Sequence, residues 1–371
     1  MALFEDYQAS IDAMAAAIDT AETFVHVEFY IVAWDATTRE FFAAMERAVA
    51  RGVTVRLLAD YIASRKITDA EKTFAELDRI GVRWSFMLPV QPFKGKYQRP
   101  DLRNHRKLVV VDGRVGFMGS QNLISRDYDS EKNIKRGLMW QELTTRVEGP
   151  AVAQINIVFL SDWAVETGED IIAEHAPAAE VAEVTGEDAL VCQLVPSGPA
   201  YETENNLRLF LSLIGTATER VIITSPYFVP DEAMVYAITT ACQRGLDVQL
   251  FVSELGDQGM VYHAQRSYYE ALLRAGVRIF LYPAPYILHA KHFSIDDDIA
   301  VIGSSNMDIR SFTLNAEMSM MVRGASFTAA MREVEQHYRD AGRELTLEEW
   351  LREPAKATFL DGLARLTSAL N

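Results

Sequence analysis

The sequence predicts an α/β protein made of two homologous α/β sandwich halves, packed with pseudo-two-fold symmetry around one site at their interface. Three observations carry that expectation. A polar motif occurs twice, strand and helix patterns recur in the same order around each copy, and an acidic stretch lies between the copies. The first motif is His105, Lys107, Asp112, Gly119, Ser120 and Asn122. The second is His289, Lys291, Asp296, Gly303, Ser304 and Asn306, with every offset from its His identical. One motif alone reads as a His at a strand start beside a solvated Lys. Two copies with six matched residues do not arise plausibly by chance, and repeats of this kind mark a duplicated unit.

The elements follow in order. Residues 24–31 alternate and are rich in strand formers, and residues 221–228 are their counterpart. Helical patterns follow at 38–50 and 231–243, each stopped by an Arg-Gly pair, Arg51-Gly52 and Arg244-Gly245. Strands come next at 53–58 and 246–251, then a second helix leads to Gly81 in one half and Gly276 in the other. Each motif then opens a strand, 108–111 and 293–295. Alternating strands and helices imply parallel pairing with helices on both faces.

The first half is longer before its motif, and the added residues hold a basic stretch. Lys94, Lys96, Arg99, Arg103, Arg106 and Lys107 stand there against one acid, Asp101. Residues 166–190 hold eight acids and no Lys or Arg. The expected division is a first half over 1–167, an exposed acidic linker over 168–189, and a second half over 190–371. In the tail, Phe359, Leu360, Leu363, Leu366 and Leu370 recur at helical spacing. Such a stripe is expected to pack on the body.

Composition excludes some functions. The formal charge is −16, which argues against general nucleic-acid binding, since that relies on basic surface to neutralise phosphates. Cys192 and Cys242 are the only cysteines, which fits a reducing compartment. No apolar run is long enough to span a bilayer, and the first residues lack the features of a signal peptide.

The motif residues point to phosphoryl chemistry. On a strand, a His two residues before a Lys shares its face. Two such faces meeting at a pseudo-two-fold bring together two imidazoles and two ammoniums, with Ser120, Asn122, Ser304 and Asn306 as further donors. A phosphodiester in flight spreads negative charge over its oxygens, and Lys and amide groups stabilise that charge. One His can attack phosphorus. The other can protonate the leaving oxygen and then deprotonate the acceptor, help worth about 10²–10⁴-fold. Asp112 and Asp296 read as groups that hold a His ring by its other nitrogen. A metal site reads poorly here, because no His-x-x-x-His or Cys pair is present and the lysines repel a cation. No metal and no cofactor are expected. Of the other histidines, only His292 is a candidate to line the site; His26, His175, His263 and His337 carry no functional argument. Aromatic and apolar residues flank the motifs, Phe93, Tyr97 and Trp140 at the first, Tyr286 and Ile287 at the second. They serve either as loops that dip into a bilayer or as core.

The two His-x-Lys-x4-Asp motifs with their Gly-Ser tails resemble the phospholipase D superfamily. Within it the chain is most similar to bacterial cardiolipin synthases, through residues 27–31, 148–152, 197–199, 225–230 and 306–312 with Asn315 and Glu317. The resemblance covers nearly the whole chain. It implies a phospholipase D-like fold and metal-independent phosphatidyl transfer through a phosphohistidine. In that family two phosphatidylglycerols become cardiolipin and glycerol. The catalytic residues it implies are His105, Lys107, Asp112, His289, Lys291 and Asp296, with His105 as nucleophile. Ser120, Asn122, Ser304 and Asn306 would bind the substrate phosphate, and Glu142 and Glu317 would support them. The partners implied are a phospholipid and a membrane surface, engaged peripherally at the bacterial cytoplasmic membrane or from the cytoplasm, and no nucleic acid. Three departures bear on the substrate. The family's usual N-terminal membrane helices are absent here, Gln121 and Asn122 follow Gly119-Ser120 where many relatives show a Gly-Gly pair, and the chain is acidic. Hydrolysis by water, or transfer to another acceptor, is the alternative.

Overall fold

The computed structural model describes residues 1–94, 96–175 and 189–366. Each half is built on one sheet. The first runs in the order Ala2–Phe4, Thr144–Glu148, Val115–Gly119, Lys107–Val111, Phe24–Phe29, Thr54–Asp60, Arg83–Met87. The second repeats it strand for strand as Val191–Ser197, Asn315–Arg323, Ile299–Gly303, His292–Ile295, Arg220–Thr224, Asp247–Ser253, Arg278–Tyr282, and adds Arg343–Leu345 at the edge.

The pairing is mixed, not all parallel. Phe24–Phe29, Thr54–Asp60 and Arg83–Met87 are parallel, joined by the helices Arg39–Ala50 and Ala70–Ile80. The motif strand, by contrast, turns straight back on its neighbour and lies antiparallel to both flanking strands. The reason is local. Asp112 and Gly113 both have positive φ, 51° and 66°, and Arg114 N closes the turn on Val111 O at 2.9 Å. An Asp-Gly pair of this kind makes a tight hairpin, which joins antiparallel strands without a crossover helix. Asp296 has φ 45° at the matching turn.

Side-chain alternation sorts the strands into layers. Val25, Val27 and Phe29 point outward to the helices Tyr7–Asp19 and Arg39–Ala50, with Ile11, Ile18, Phe41 and Met45. Leu108, Val110 and Met118 point inward and meet Ile302, Met318 and Met320 of the second sheet. The helices Ala151–Thr167 and Ala325–Ala341 fill that middle layer. The two sheets therefore share an apolar centre, and the pseudo-two-fold passes through it.

Of two expectations about the ends of the halves, one changes and one holds in part. Part of the acidic linker is not exposed. Ile171 is buried, and the ring of His175, in the short helix Ile172–His175, lies 4.5 Å from that of Phe24. Residues 176–188 fall outside the described residues. The tail helix Ala355–Leu366 does lie on the body, against Gly259–Arg266. It is pinned by a polar residue: buried Asp361 accepts from His263 at 2.6 Å and from Arg266 at 3.3 Å. Leu360 and Leu363 face outward.

Candidate active site

Each motif begins where its half crosses to the other. Arg103–Asn104 pairs in parallel with Asn315 and Ala316 of the second half, and Met139–Gln141 of the first half pairs with Tyr286–Leu288. His105 N donates to Ala316 O at 2.9 Å, and His289 N donates to Gln141 O at 2.7 Å. The residue after each of those carbonyls is a glutamate, so the exchange of backbone bonds sets Glu317 beside His105 and Glu142 beside His289.

The glutamates hold the rings. His105 Nδ1 donates to Glu317 Oε1 at 3.0 Å and to Ser304 O at 3.1 Å. His289 Nδ1 donates to Glu142 Oε1 at 2.7 Å. A carboxylate can only accept, so Nδ1 carries the proton and Nε2 keeps its lone pair. Burial holds both imidazoles below their usual pKa against the pull of the glutamates, His289 at about 4. Burial pushes the Glu142 carboxyl up, but His289, Lys291 and Ser120 outweigh it and leave it at about 2. Glu317 is also lowered, by His105, Lys107 and Ser304 against its burial. At neutral pH each pair is thus a neutral imidazole on a carboxylate.

Two ammoniums lie beneath. Lys107 Nζ donates to the His105 carbonyl, and Lys291 Nζ donates to the His289 carbonyl at 2.6 Å. Burial brings Lys107 down to about 7 and Lys291 to about 8. Both histidines open into one cleft of about 730 Å³, whose lining includes Tyr30, Asn122, Tyr128, Tyr227 and Asn306.

Two assignments from the sequence need correction. Asp112 and Asp296 hold no imidazole. Asp112 accepts from the N–H groups of Glu22, Thr23 and Phe24 and from Thr23 Oγ1. Asp296 does the same for Thr218, Glu219 and Arg220. The motif strand, five residues in one half and four in the other, carries the Asp to the far end of the sheet, where it caps the start of the neighbouring strand. Ser120 and Ser304 are fully buried and are not free to meet a phosphate. Ser120 Oγ donates to Glu142 Oε2 at 2.5 Å and accepts from Leu143 N at 3.0 Å; Ser304 Oγ accepts from Met318 N at 3.0 Å. The serines therefore set the glutamates. Gly119 and Gly303 explain themselves in the same place, since a Cβ at either would collide with the carbonyl of Leu143 or Met318.

Asn122 and Asn306 do line the cleft. Asn122 Nδ2 donates to Tyr128 Oη at 2.8 Å, and that hydroxyl donates to Glu142 Oε1 at 3.1 Å. Asn306 Oδ1 is buried with no partner among the described residues. His292 does not reach the site: its side chain is buried in the middle layer, 3.7 Å from Glu335. Trp140 and Ile287 are buried against one another in the strand pair that joins the halves, and Arg126 covers the Tyr286 ring at 4.9 Å. The segment before the second motif is therefore an interface between halves, whereas Phe93 and Tyr97 are exposed.

Sequence reasoning gave no role to three tyrosines. The Tyr30 ring meets His105 edge-on at 4.9 Å, with Lys107 Nζ 5.4 Å from its centre. Tyr227 and Tyr128 flank His289, each at 6.3 Å. The signal available was their place at a strand end or shortly after a motif. Among the described residues, no group of three or more His, Cys, Asp or Glu side chains is placed to hold a metal ion.

Comparison with known proteins agrees with the duplicated fold. The profile of the family described as "Cardiolipin synthase, PLD-like domain" matches twice, at residues 14–163 and 210–339. A cardiolipin synthase of Geobacillus kaustophilus is 31% identical over the whole chain, which spans 72% of that protein. One of Halalkalibacterium halodurans is 36% identical over 82% of the chain, a stretch equal to 58% of its length. The crystal structure of phosphatidylserine synthase from Haemophilus influenzae Rd KW20 shares the fold, with a TM-score of 0.76 over 100% of this chain and 95% of that one at 13% identity. The chain belongs to the cardiolipin synthase family of phospholipase D-like enzymes.

Proposed function

We propose that the chain transfers a phosphatidyl group from one phosphatidylglycerol to another, forming cardiolipin and releasing glycerol. The observation that carries this reading is the reciprocal pair of glutamate-held histidines, each with a bare Nε2, opening into one cleft above two buried lysines. His105 Nε2 attacks the phosphorus of the first lipid, and the bond to the glycerol oxygen breaks. The charge of the bound phosphodiester favours protonation of His289, which gives that proton to the leaving oxygen. The second lipid's hydroxyl then returns a proton to His289 as it attacks the phosphohistidine, and His105 is freed. Lys107, Lys291, Asn122 and Asn306 meet the charge that builds on the phosphoryl oxygens, the kind of preorganised stabilisation that dominates many catalysed transfers. Because the substrate lies in a bilayer, the protein works at a membrane surface; among the described residues no helix is long and apolar enough to cross a membrane.

The test is incubation with phosphatidylglycerol in mixed micelles containing a chelator, with the lipid products resolved by mass spectrometry. Cardiolipin and free glycerol, both lost in His105→Ala, are expected. Phosphatidic acid without cardiolipin would make the protein a hydrolase instead.

A further inference from the structure

The acceptor in the proposed reaction is itself a phosphodiester. Its hydroxyl must reach Nε2 of His289 while its own phosphate, three carbons away, lies elsewhere in the cleft. Lys107 and Lys291 are committed beneath the histidines, so a second anion needs another cation. Two arginines line the cleft, Arg103 and Arg310. Arg103 is buried and ion-paired, its Nη1 3.2 Å from Asp60 Oδ1. Arg310 is half-buried and donates through Nη2 to the carbonyl of Asp101 at 3.2 Å. Its neighbour Asp308, which also lines the cleft, caps the helix Ile309–Thr313 by accepting from Ser311 N at 2.7 Å. The carboxylates of Asp308 and Asp101 feel the charge of Arg310, but among the described residues none is close enough to form an ion pair with it. Elsewhere in the lining stands Asp257, which accepts from Tyr227 Oη at 2.8 Å near His289 and repels an anion. Asn315, also in the lining, is buried beside this helix.

We propose that Arg310 forms the subsite for the phosphate of the acceptor, and so makes an anionic polyol the preferred acceptor over free glycerol. A guanidinium offers a planar fork that grips a phosphate through two N–H groups, while a lysine offers only a point charge. The cleft, at about 730 Å³, has the volume for two polar head groups at once. The inference rests on the phosphatidyl-transfer reading given above, but it does not require that the product be cardiolipin.

The experiment gives the enzyme phosphatidylglycerol as donor and two soluble acceptors in competition, glycerol 3-phosphate and isotopically labelled glycerol. The ratio of the two transfer products is read by mass spectrometry. The wild type is expected to favour the charged acceptor. Arg310→Gln is expected to lower that ratio by about tenfold, the scale of one charge-assisted contact, whatever happens to total turnover. Arg310→Lys keeps the charge and a donor for the Asp101 carbonyl, and is expected to lower it less. Thermal unfolding identifies the variants that fold, and the ratio in Arg310→Lys keeps the test open if Arg310→Gln does not. An unchanged ratio in a folded variant, or a wild type indifferent to acceptor charge, overturns the proposal. A wild type that makes no cardiolipin yet shows the Arg310-dependent preference overturns only the choice of second lipid.

Discussion

At the scale of single residues, the chemistry depends on which nitrogen of each imidazole is bare. Glu142 and Glu317 decide that, because they accept from Nδ1. A glutamine in either place keeps the shape but can donate to Nδ1, which puts the proton on Nε2. Glu142→Gln and Glu317→Gln are each expected to lower kcat by about 10²–10⁴-fold in steady-state transfer assays, with folding intact. The motif aspartates behave in the opposite way. Asp112→Ala and Asp296→Ala remove several bonds to backbone N–H groups and leave a non-Gly residue at positive φ. Each is expected to cost about 1–3 kcal/mol of stability in denaturant titrations, while the folded fraction keeps its specific activity. Loss of activity without loss of stability would return the aspartates to the site. The histidines, lysines and asparagines were legible in the sequence because their offsets repeat. The glutamates were legible only by resemblance, since they follow their histidines at different distances, 37 and 28 residues. The partner of each lies in the other half, and a one-dimensional spacing does not show a crossed pair.

At the scale of elements, the strand order is fixed by short turns. The Asp-Gly pair at 112–113 was a hairpin signal in the sequence. It was masked by the regular alternation of strands and helices, which suggested parallel pairing throughout. Where crossover helices do exist, as at Arg39–Ala50 and Glu232–Gln243, the sequence reading and the structure agree closely, because the Arg-Gly stops hold: Gly52 and Gly245 both sit at φ 88°. Gly119 and Gly303 serve a different need, the close approach of two strands beside the glutamates. Gly119→Ala and Gly303→Ala force a Cβ into a backbone carbonyl that side-chain rotation cannot relieve. Each is expected to lose about 1–3 kcal/mol of stability, read as a lower melting temperature. Unlike the aspartate variants, each should lose activity with it, because the displaced segment holds Glu317 or adjoins Glu142. The apolar segment before the second motif shows the limit of reading elements singly. Tyr286 and Ile287 suit a bilayer-dipping loop as well as a core strand until Trp140, nearly 150 residues earlier in the chain, is placed against them.

At the scale of the whole molecule, the halves are bound together by the same contacts that make the site. The middle layer joins both sheets, and each His is held by the opposite half. Burying two lysines there has a consequence for pH. Desolvation favours the neutral amine, so Lys107 and Lys291 lose their charge near pH 7 and 8. Each is a cation below its pKa, so the ability to meet a phosphate is present at lower pH and lost as pH rises. We expect kcat/KM to fall through pH 7–8. The fall in kcat should lie at higher pH, since a bound phosphodiester favours the ammonium form. The duplicated architecture was readable because both halves keep the same strand order. The depth of burial of the lysines was not, because it arises only when the two sheets close on one another. The proposed transfer runs through a covalent histidine intermediate in a site shared by both halves. The most direct test is to mix His289→Ala with phosphatidylglycerol, quench at alkaline pH where a phosphoramidate survives, and map the adduct by mass spectrometry. A phosphatidyl group on His105, absent from His105→Ala, is the expected result; undiminished lipid transfer by His105→Ala with no adduct on either histidine would contradict it.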